Sequence, residues 1–525
     1  MIVLVGLAVR IAAIGRTPLW IDEAISLMIA HWPAADLMWR PVESSPGLYY
    51  LVVKFFVGDP ASAALARVPS LLFGTAAIVA GYAVGRQAVG RRGGLLVAAL
   101  IAFSPNLIDY SVEGRPYAMA LLLVLGSAIG FARWCDGLGQ GASSRGALAL
   151  FAVAGVAALY THFSALFWTG PAMLAGYGLA DRLGSPGARR DYRWAAVAMV
   201  VALMPEFLRE MHRAARFGGF GWLRPAGPFE LASWWSETVL PSALWGAAWN
   251  PLVAASAVIG VAVAGAIGWR LWLHRAAVRG WAAERPGSAA ALLILLAVPI
   301  TVDLFSYVAA PILMTRTLLL AIPGLAMLLA LVDRVEQRTW LAPVLVTPFM
   351  AALVVGGPVR PREDWQPVAA LLHAQARPGD ALLVCPQWRS PPLLHALGGT
   401  RLPVYLMFND MVMLMPPPLS TDRWIGTYWR ATLFDLVSAK MEGVKPSLES
   451  RLAPVPGRVW LVDSECATRP QLERWLGPAH ASVLFDQPST NVRAGIRLVR
   501  YDLPPMSRPV SVPRWAVAPS GGAEE

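Results

Sequence analysis

Long apolar runs separated by short arginine-bearing loops fill residues 1–357, and they set the solvent in which most of this chain folds. A helix needs ~17–25 mostly apolar residues to cross ~30 Å of hydrocarbon. In that layer only helices or closed barrels satisfy their own backbone. Runs of helical length fall at 67–85, 94–110, 117–133, 146–161, 163–180, 194–208, 249–268, 288–307, 317–332 and 339–356. With the first run, Ile2 to Ile14, they predict about eleven spans. That first run is short for a span and lacks the basic start and small-residue cleavage site of a signal peptide. Either the N-terminus is truncated or the helix begins a few residues in. The composition agrees with a membrane solvent: 15% of the 525 residues are charged, against ~25% in an ordinary soluble domain, and the mean hydropathy is +0.51.

Charge supplies the orientation. The formal net charge of +11 is carried almost wholly by arginine, since the only lysines are Lys54, Lys440 and Lys445. The arginines sit in short loops: Arg86/Arg91/Arg92, Arg133/Arg145, Arg182/Arg189/Arg190/Arg193, Arg270/Arg275/Arg279/Arg285 and Arg334/Arg338. With Leu48 to Val57 read as an interfacial helix, too short to cross and carrying Lys54, all five loops fall on one side, which is then cytoplasmic. The opposite loops hold Asp22, Glu23, Asp36, Glu43, Asp59, Asp109, Glu113, Glu206, Glu210, Glu230 and Glu237. The N-terminus is then inside and the C-terminus outside a plasma membrane. A basic balance explained by topology leaves no reason to expect nucleic acid as a partner.

The pattern changes near Gly357. Residues 364–376 read as an amphipathic helix ended by Arg377-Pro378-Gly379-Asp380, and Ala381 to Cys385 and Val459 to Val462 read as buried strands. The expected organisation is a membrane domain over 1–357, a soluble outer α/β domain over 358–505, and a disordered Pro/Ser/Gly/Ala-rich tail over 506–525. Cys135 falls beside a cytoplasmic loop. Cys385 and Cys466 each follow a strand; outside the cytoplasm they form a disulfide or stay as buried thiols.

Four short segments fall at the same outer face. They are Trp20-Ile21-Asp22-Glu23, Tyr110-Ser111-Val112-Glu113-Gly114-Arg115-Pro116-Tyr117, Tyr160-Thr161-His162, and Thr315-Arg316-Thr317. Each alone has a plain explanation: acids in a solvated loop, a Glu113–Arg115 pair, a histidine that bonds its own turn, an arginine snorkelling to the headgroups. Together they suit a substrate carried on lipid. A guanidinium binds phosphate oxygens in pairs, a carboxylate serves as general base, and negative charge steadies an oxocarbenium-like sugar. Trp20, Trp222, Trp234 and Trp235 suit either sugar stacking or an interfacial aromatic belt, and the belt is the commoner use.

The segments resemble a known family. Leu19-Trp20-Ile21-Asp22-Glu23-Ala24-Ile25-Ser26-Leu27 resembles the "LWxDEAxSL" opening of bacterial family 39-like glycosyltransferases of the GT-C fold, relatives of the protein O-mannosyltransferases and the lipid A aminoarabinose transferase. Ser45-Pro46-Gly47-Leu48-Tyr49-Tyr50-Leu51 is similar to their "HPPLYYLL", and Ala66-Arg67-Val68-Pro69-Ser70-Leu71-Leu72-Phe73-Gly74 to "LRLPSLLFG". Tyr110 to Ala118 resembles "YSQEARMYA", Tyr160-Thr161-His162-Phe163 "YTHYF", Arg316 to Pro323 "RYLLPALP", and Glu363 to Asp380 the start of an outer soluble domain.

The resemblance implies a polytopic α-helical membrane protein of the GT-C fold with a C-terminal soluble α/β domain. It would sit in a bacterial inner membrane and transfer a sugar, with inversion, from a polyprenyl-phosphate donor to an envelope glycan, lipid or protein acceptor. Asp22 would be the base, with Glu23 and Glu113 as further acids. Arg115, Tyr117, His162, Arg316 and Tyr49 would bind substrate. Some relatives hold a divalent metal in this cavity and others do not; Asp22 and Glu113 are the ligands it would use here. Three departures stand out. Ser44 and Ser45 replace the family's His, which weakens the case for a metal; Val112 and Gly114 replace Gln and Ala; Thr317 replaces Tyr. The rival readings are a membrane transporter or lipid flippase using Glu206 and Asp303 as relay acids, and a scaffold presenting the outer domain.

Overall fold

A computed structural model describes residues 1–39, 45–57, 62–138, 141, 144–217, 251–336, 359, 362–386, 389–408, 411–415, 458–464, 466, 481–488 and 495–502. The run at 339–356, the tail, Ser44, Trp222, Trp234 and Trp235 lie outside them. The chain divides into two compact units: Met1–Arg16, Ala34–Phe56 and Arg67–Arg360 form the first, and Thr17–Pro33, Val57–Ala66 and Pro361–Glu525 the second.

Helices of the first unit are α1 (Ile2–Ala13), α3 (Ala34–Trp39), α4 (Leu48–Lys54), α5 (Ala63–Phe103, from Arg67 on), α6 (Pro105–Asp109), α7 (Tyr117–Asp136), α8 (Arg145–Leu159), α9 (Leu166–Leu183), α10 (Pro186–Phe217), α11 (Pro251–Leu273), α12 (Arg275–Glu284), α13 (Pro286–Val308) and α14 (Ala321–Glu336). Among the described residues three are long and apolar enough to cross a membrane: α5, α7 and α13. Shorter apolar helices lie at Ile2–Ala13, Arg145–Leu159 and Val261–Leu273. Large apolar side chains stand exposed on α9, α10 and α13, among them Leu174, Val201, Leu293, Ile300 and Leu304. Hydrocarbon accepts such a surface; water does not.

The 41-residue α5 is two helices, as the separate runs at 67–85 and 94–110 predict. Gly90 holds φ at 89°, a region other residues avoid, and the chain reverses there. The arms pack so closely that a Cβ on Gly94 would lie 2.7 Å from the Tyr82 carbonyl oxygen. On the far side of the reversal, α7 and α8 run in opposite directions; α7, with 20 residues, is ~30 Å long.

All five arginine-rich loops meet at one end of this unit. Arg92 pairs with Asp333 at 2.8 Å, Arg145 with Asp191 at 2.7 Å and Arg270 with Glu336 at 3.4 Å. Arg86, Arg133 and Arg285 line one cavity. Trp281 of α12 reaches into the same end and donates from Nε1 to the Ala88 carbonyl at 2.7 Å. The one-sidedness read from the loop charges is thus physical contact.

The second unit contains α2 (Ile21–Ala30), α15 (Gln366–Gln375), α16 (Ser390–Leu397) and strands β1 (Ala381–Cys385), β2 (Val404–Phe408), β3 (Met411–Met415), β4 (Arg458–Asp463), β5 (Ala481–Gln487) and β6 (Ile496–Asp502). The sheet order is β3-β2-β1-β4-β6-β5. β1 runs parallel to β2 and β4, with Leu382 opposite Val404 and Trp460, and the remaining pairs are antiparallel. The predicted helix, turn and two strands fall where the sequence puts them; Gly379 takes φ 92° in the turn. Asp380, just after it, is buried but compensated: it pairs with Arg458 at 2.9 Å and accepts from Trp460 Nε1 at 2.8 Å. Cys385 and Cys466 are joined by a disulfide with Cα atoms 5.3 Å apart. Cys135 is free and buried.

Two outcomes test this fold. Gly94→Val drives a branched side chain into the backbone of the facing arm; a cost of about 1–3 kcal/mol is expected, read as a lower melting temperature and a smaller monodisperse peak on size exclusion. Maleimide labelling of denatured protein should modify one thiol without reductant and three with it, out of the three cysteines present; three without reductant would disprove the disulfide.

Candidate functional site

The end of the first unit opposite the arginine loops is built around the segment between α6 and α7. Ser104 and Pro105 start the short helix α6, and residues 110–116 then follow no regular element. A tight turn, with Arg115 N–H donating to the Glu113 carbonyl at 2.7 Å, brings both side chains inward: Glu113 is 1% exposed and Arg115 5%. Neighbours clamp the turn. Tyr49 Oη lies 2.7 Å from Ser70 Oγ, and Ser70 donates to the Arg115 carbonyl at 3.1 Å. Arg115 Nη1 donates to Tyr50 Oη at 3.1 Å. Gly74 lets α5 pass against Ser111, where a Cβ would lie 2.1 Å from its hydroxyl oxygen.

His162 stands at the corner between α8 and α9 and caps the 3-10 turn Phe163–Ala165. Ser164 N–H donates to its Nδ1 at 3.2 Å, so Nδ1 is the acceptor and the neutral ring carries its proton on Nε2. Tyr117 meets the ring edge-on at 5.1 Å, and Tyr117 in turn meets Tyr110 at 5.0 Å. Burial first, then the positive charges of Arg316 and Arg115, pull His162 from its ordinary 6.5 down to about 3. The charges of Arg115 and Arg316 therefore both reach this imidazole. Arg316 is half-buried on the turn Thr315–Thr317. Thr317 knots that turn by donating to the Ile312 and Met314 carbonyls at 2.9 and 2.8 Å.

The structure thus gathers Tyr49, Glu113, Arg115, Tyr117, His162 and Arg316 in the first unit. Asp22 and Glu23 stand on α2 of the second unit. Both occupy its first turn, where the helix dipole favours carboxylates; Asp22 is half-buried and Glu23 is 1% exposed. Met28, one helix face away, packs into the core of the second unit with Trp365, Val368, Leu393 and Trp460. Trp20, at the N-cap, carries Arg362 over its ring at 5.1 Å.

Sequence reading gave no individual role to Arg10, Arg67, Ser70 and Tyr50. Arg10 lies buried in α1 and donates to the Gly6 and Ala102 carbonyls at 3.0 and 3.1 Å; Arg67 donates to Ile14 at 2.8 Å. Each closes a helix end that water would otherwise serve. A lone charge in an apolar run was the available signal.

The donor set fits a metal poorly. Among the described residues no three His, Cys, Asp or Glu side chains gather. Glu113 and His162 share their end with two guanidinium groups, which repel a cation, and His162 Nδ1 is already engaged. The ligand pair Asp22 and Glu113 is drawn from two units. No step below passes through a metal.

Fold and charge arrangement define a polytopic helical membrane protein with an attached α/β unit. No protein-family model matches the chain, and no curated protein matches it in sequence. Among solved structures it is similar to apo ArnT from Cupriavidus metallidurans, at 15% identity and a TM-score of 0.46 over 95% of this chain and 97% of that one. It is also similar to the Archaeoglobus fulgidus oligosaccharyltransferase in its apo form, at 11% identity and 0.48 over 88% and 68%. A third similarity is to the S. cerevisiae protein O-mannosyltransferase Pmt1-Pmt2 complex bound to the sugar donor, at 13% and 0.31 over 45% and 36%.

Burial of a neutral His162 makes stability pH-dependent. The unfolded ring takes a proton near 6.5 and the folded ring only near 3, so its contribution is complete above 6.5 and is lost as pH falls below it. Between pH 6.5 and 4.5 this amounts to roughly 2–3 kcal/mol. Melting curves at both pH values should show the drop in wild type and a smaller one in His162→Gln; equal drops would refute the assignment.

Proposed function

We propose that this protein is a membrane glycosyltransferase that moves a sugar from a polyprenyl-phosphate donor to an envelope glycan, lipid or protein acceptor at the non-cytoplasmic face, with inversion. The observation that carries the reading is that the charges of Arg115 and Arg316 both bear on His162, at the end of the helical unit remote from the arginine-rich loops. A phosphate on a lipid needs cationic donors at headgroup depth, and two guanidiniums on separate turns supply them. The ordered set of motifs around Asp22, Glu113 and Arg316 supports the same chemistry.

In the proposed step Asp22 takes the proton from the acceptor hydroxyl or amine as its oxygen or nitrogen attacks the anomeric carbon. The bond from that carbon to the phosphate oxygen breaks on the opposite face, and the polyprenyl phosphate leaves with the electron pair, held by Arg115 and Arg316. Glu113 positions the acceptor; Tyr117 and the neutral His162 pack the wall beside it. Glu23 accompanies Asp22 in the same helical turn, its carboxylate buried. The Cys385–Cys466 disulfide favours an oxidising compartment for the second unit, as an outer location requires. The residues 358–505 would then form the outer domain of a protein of the bacterial inner membrane.

The transporter reading draws less support. Glu206 is held by Arg209 at 2.7 Å one turn along α10, in a local ion pair within one helix.

Incubation of the purified protein with a panel of polyprenyl-phosphate sugars, followed by mass spectrometry, should yield free polyprenyl phosphate and a glycosylated product. Asp22→Asn should lower turnover by ~10²-fold or more while size exclusion and melting stay unchanged. Full activity of that variant would remove Asp22 as the base.

A further inference from the structure

A cavity of about 560 Å³ opens at the arginine-rich end of the first unit. Tyr82, Arg86 and Gln87 line it from α5, Arg133 and Asp136 from the end of α7, and Arg285 from the start of α13. Three guanidiniums from three separate stretches of chain therefore face one space.

Their own protein does not neutralise them. Asp136 is the one acid in the lining, and its oxygens are committed elsewhere. Oδ1 accepts from the Gly287 and Ser288 N–H groups at 2.8 and 3.0 Å, and Oδ2 from Ser288 Oγ at 2.8 Å and Gln87 Nε2 at 3.4 Å. Its work is to cap α13. Among the described residues none of Arg86, Arg133 and Arg285 forms an ion pair, whereas Arg92, Arg145 and Arg270 nearby all do. Gln87 Oε1 is buried without a hydrogen-bond partner. The cavity thus offers cationic forks and one unmet acceptor.

Loop arginines are expected on a cytoplasmic face for topology alone. Topology needs only their presence in the loops; it asks neither for convergence on a cavity nor for an acid turned away from them. We propose that this cavity binds a phosphate-bearing anion with a hydroxyl beside the phosphate. The arginines hold the phosphate oxygens, and Gln87 Oε1 accepts from the hydroxyl. Basic pockets between membrane helices take anionic lipid headgroups in this manner; a soluble phosphate would use the same donors.

Full-length protein in nanodiscs of phosphatidylcholine doped with phosphatidylglycerol, examined by native mass spectrometry, separates the sources. Wild type should retain phosphatidylglycerol over phosphatidylcholine by about tenfold or more. Arg86→Gln/Arg133→Gln/Arg285→Gln should lose that preference, while Arg189→Gln/Arg190→Gln/Arg193→Gln, an equal charge change on α10, should keep it. Arg133→Lys/Arg285→Lys preserves the charge that orients the chain and should still weaken retention, because lysine cannot form the fork. In the second arm, inorganic phosphate replaces chloride at matched ionic strength in pure phosphatidylcholine nanodiscs. A rise in melting temperature lost in the first triple variant would assign a soluble ligand. If neither arm distinguishes the cavity variants from the α10 variant, the site is refuted.

Discussion

A hydrocarbon layer tolerates a charge only at its edges or against a partner, and that rule organises the helical unit. At one edge the arginine loops are stitched together through Asp333, Asp191 and Glu336. At the other, buried polar groups bind one another or the ends of helices. Arg10 and Arg67 show the rule within the protein: each is buried, and each satisfies backbone carbonyls that a helix terminus leaves open. The same guanidinium chemistry serves topology at one end and backbone closure elsewhere.

Hydrogen bonds from neighbouring helices hold the irregular segment at the other end. Residues 110–116 have no helix or strand to hold them, yet Ser70, itself bonded to Tyr49, donates to the Arg115 carbonyl, and Tyr50 accepts from the Arg115 side chain. Gly74 brings α5 into direct contact with Ser111. Such a segment escapes the regular backbone of a span only because protein surrounds it. His162 enters as a neutral ring under the influence of two cations, where an imidazolium would add a third like charge.

Local pattern carried much of this. Apolar length located α7, α9 and α13 to within a few residues, and the turn at Arg377-Pro378-Gly379-Asp380 with its following strand was legible because glycine and proline punctuate the chain so plainly. The disulfide stayed ambiguous, since two strand-end cysteines look the same whether bonded or free. Contacts between distant residues were out of reach. Nothing near Arg10 announces carbonyls at 101 and 102, and nothing in the run after Trp20 announces that Met28 belongs to a core built from residues beyond 360. The aromatic-belt reading of Trp20 missed its partner Arg362 for the same reason. Periodicity reports which face of an element is buried, and says little about what buries it.

Helix α2 has an origin and an allegiance that differ. It is encoded near the N-terminus, but its apolar face is finished by Trp365, Leu393 and Trp460, hundreds of residues later. Ribosomal order therefore leaves the segment bearing Asp22 and Glu23 without its packing partners until the last strands have emerged. A chain cut short before those strands would keep its membrane helices and lose the support beneath its two adjacent acids. That arrangement ties the support of both carboxylates to completion of synthesis.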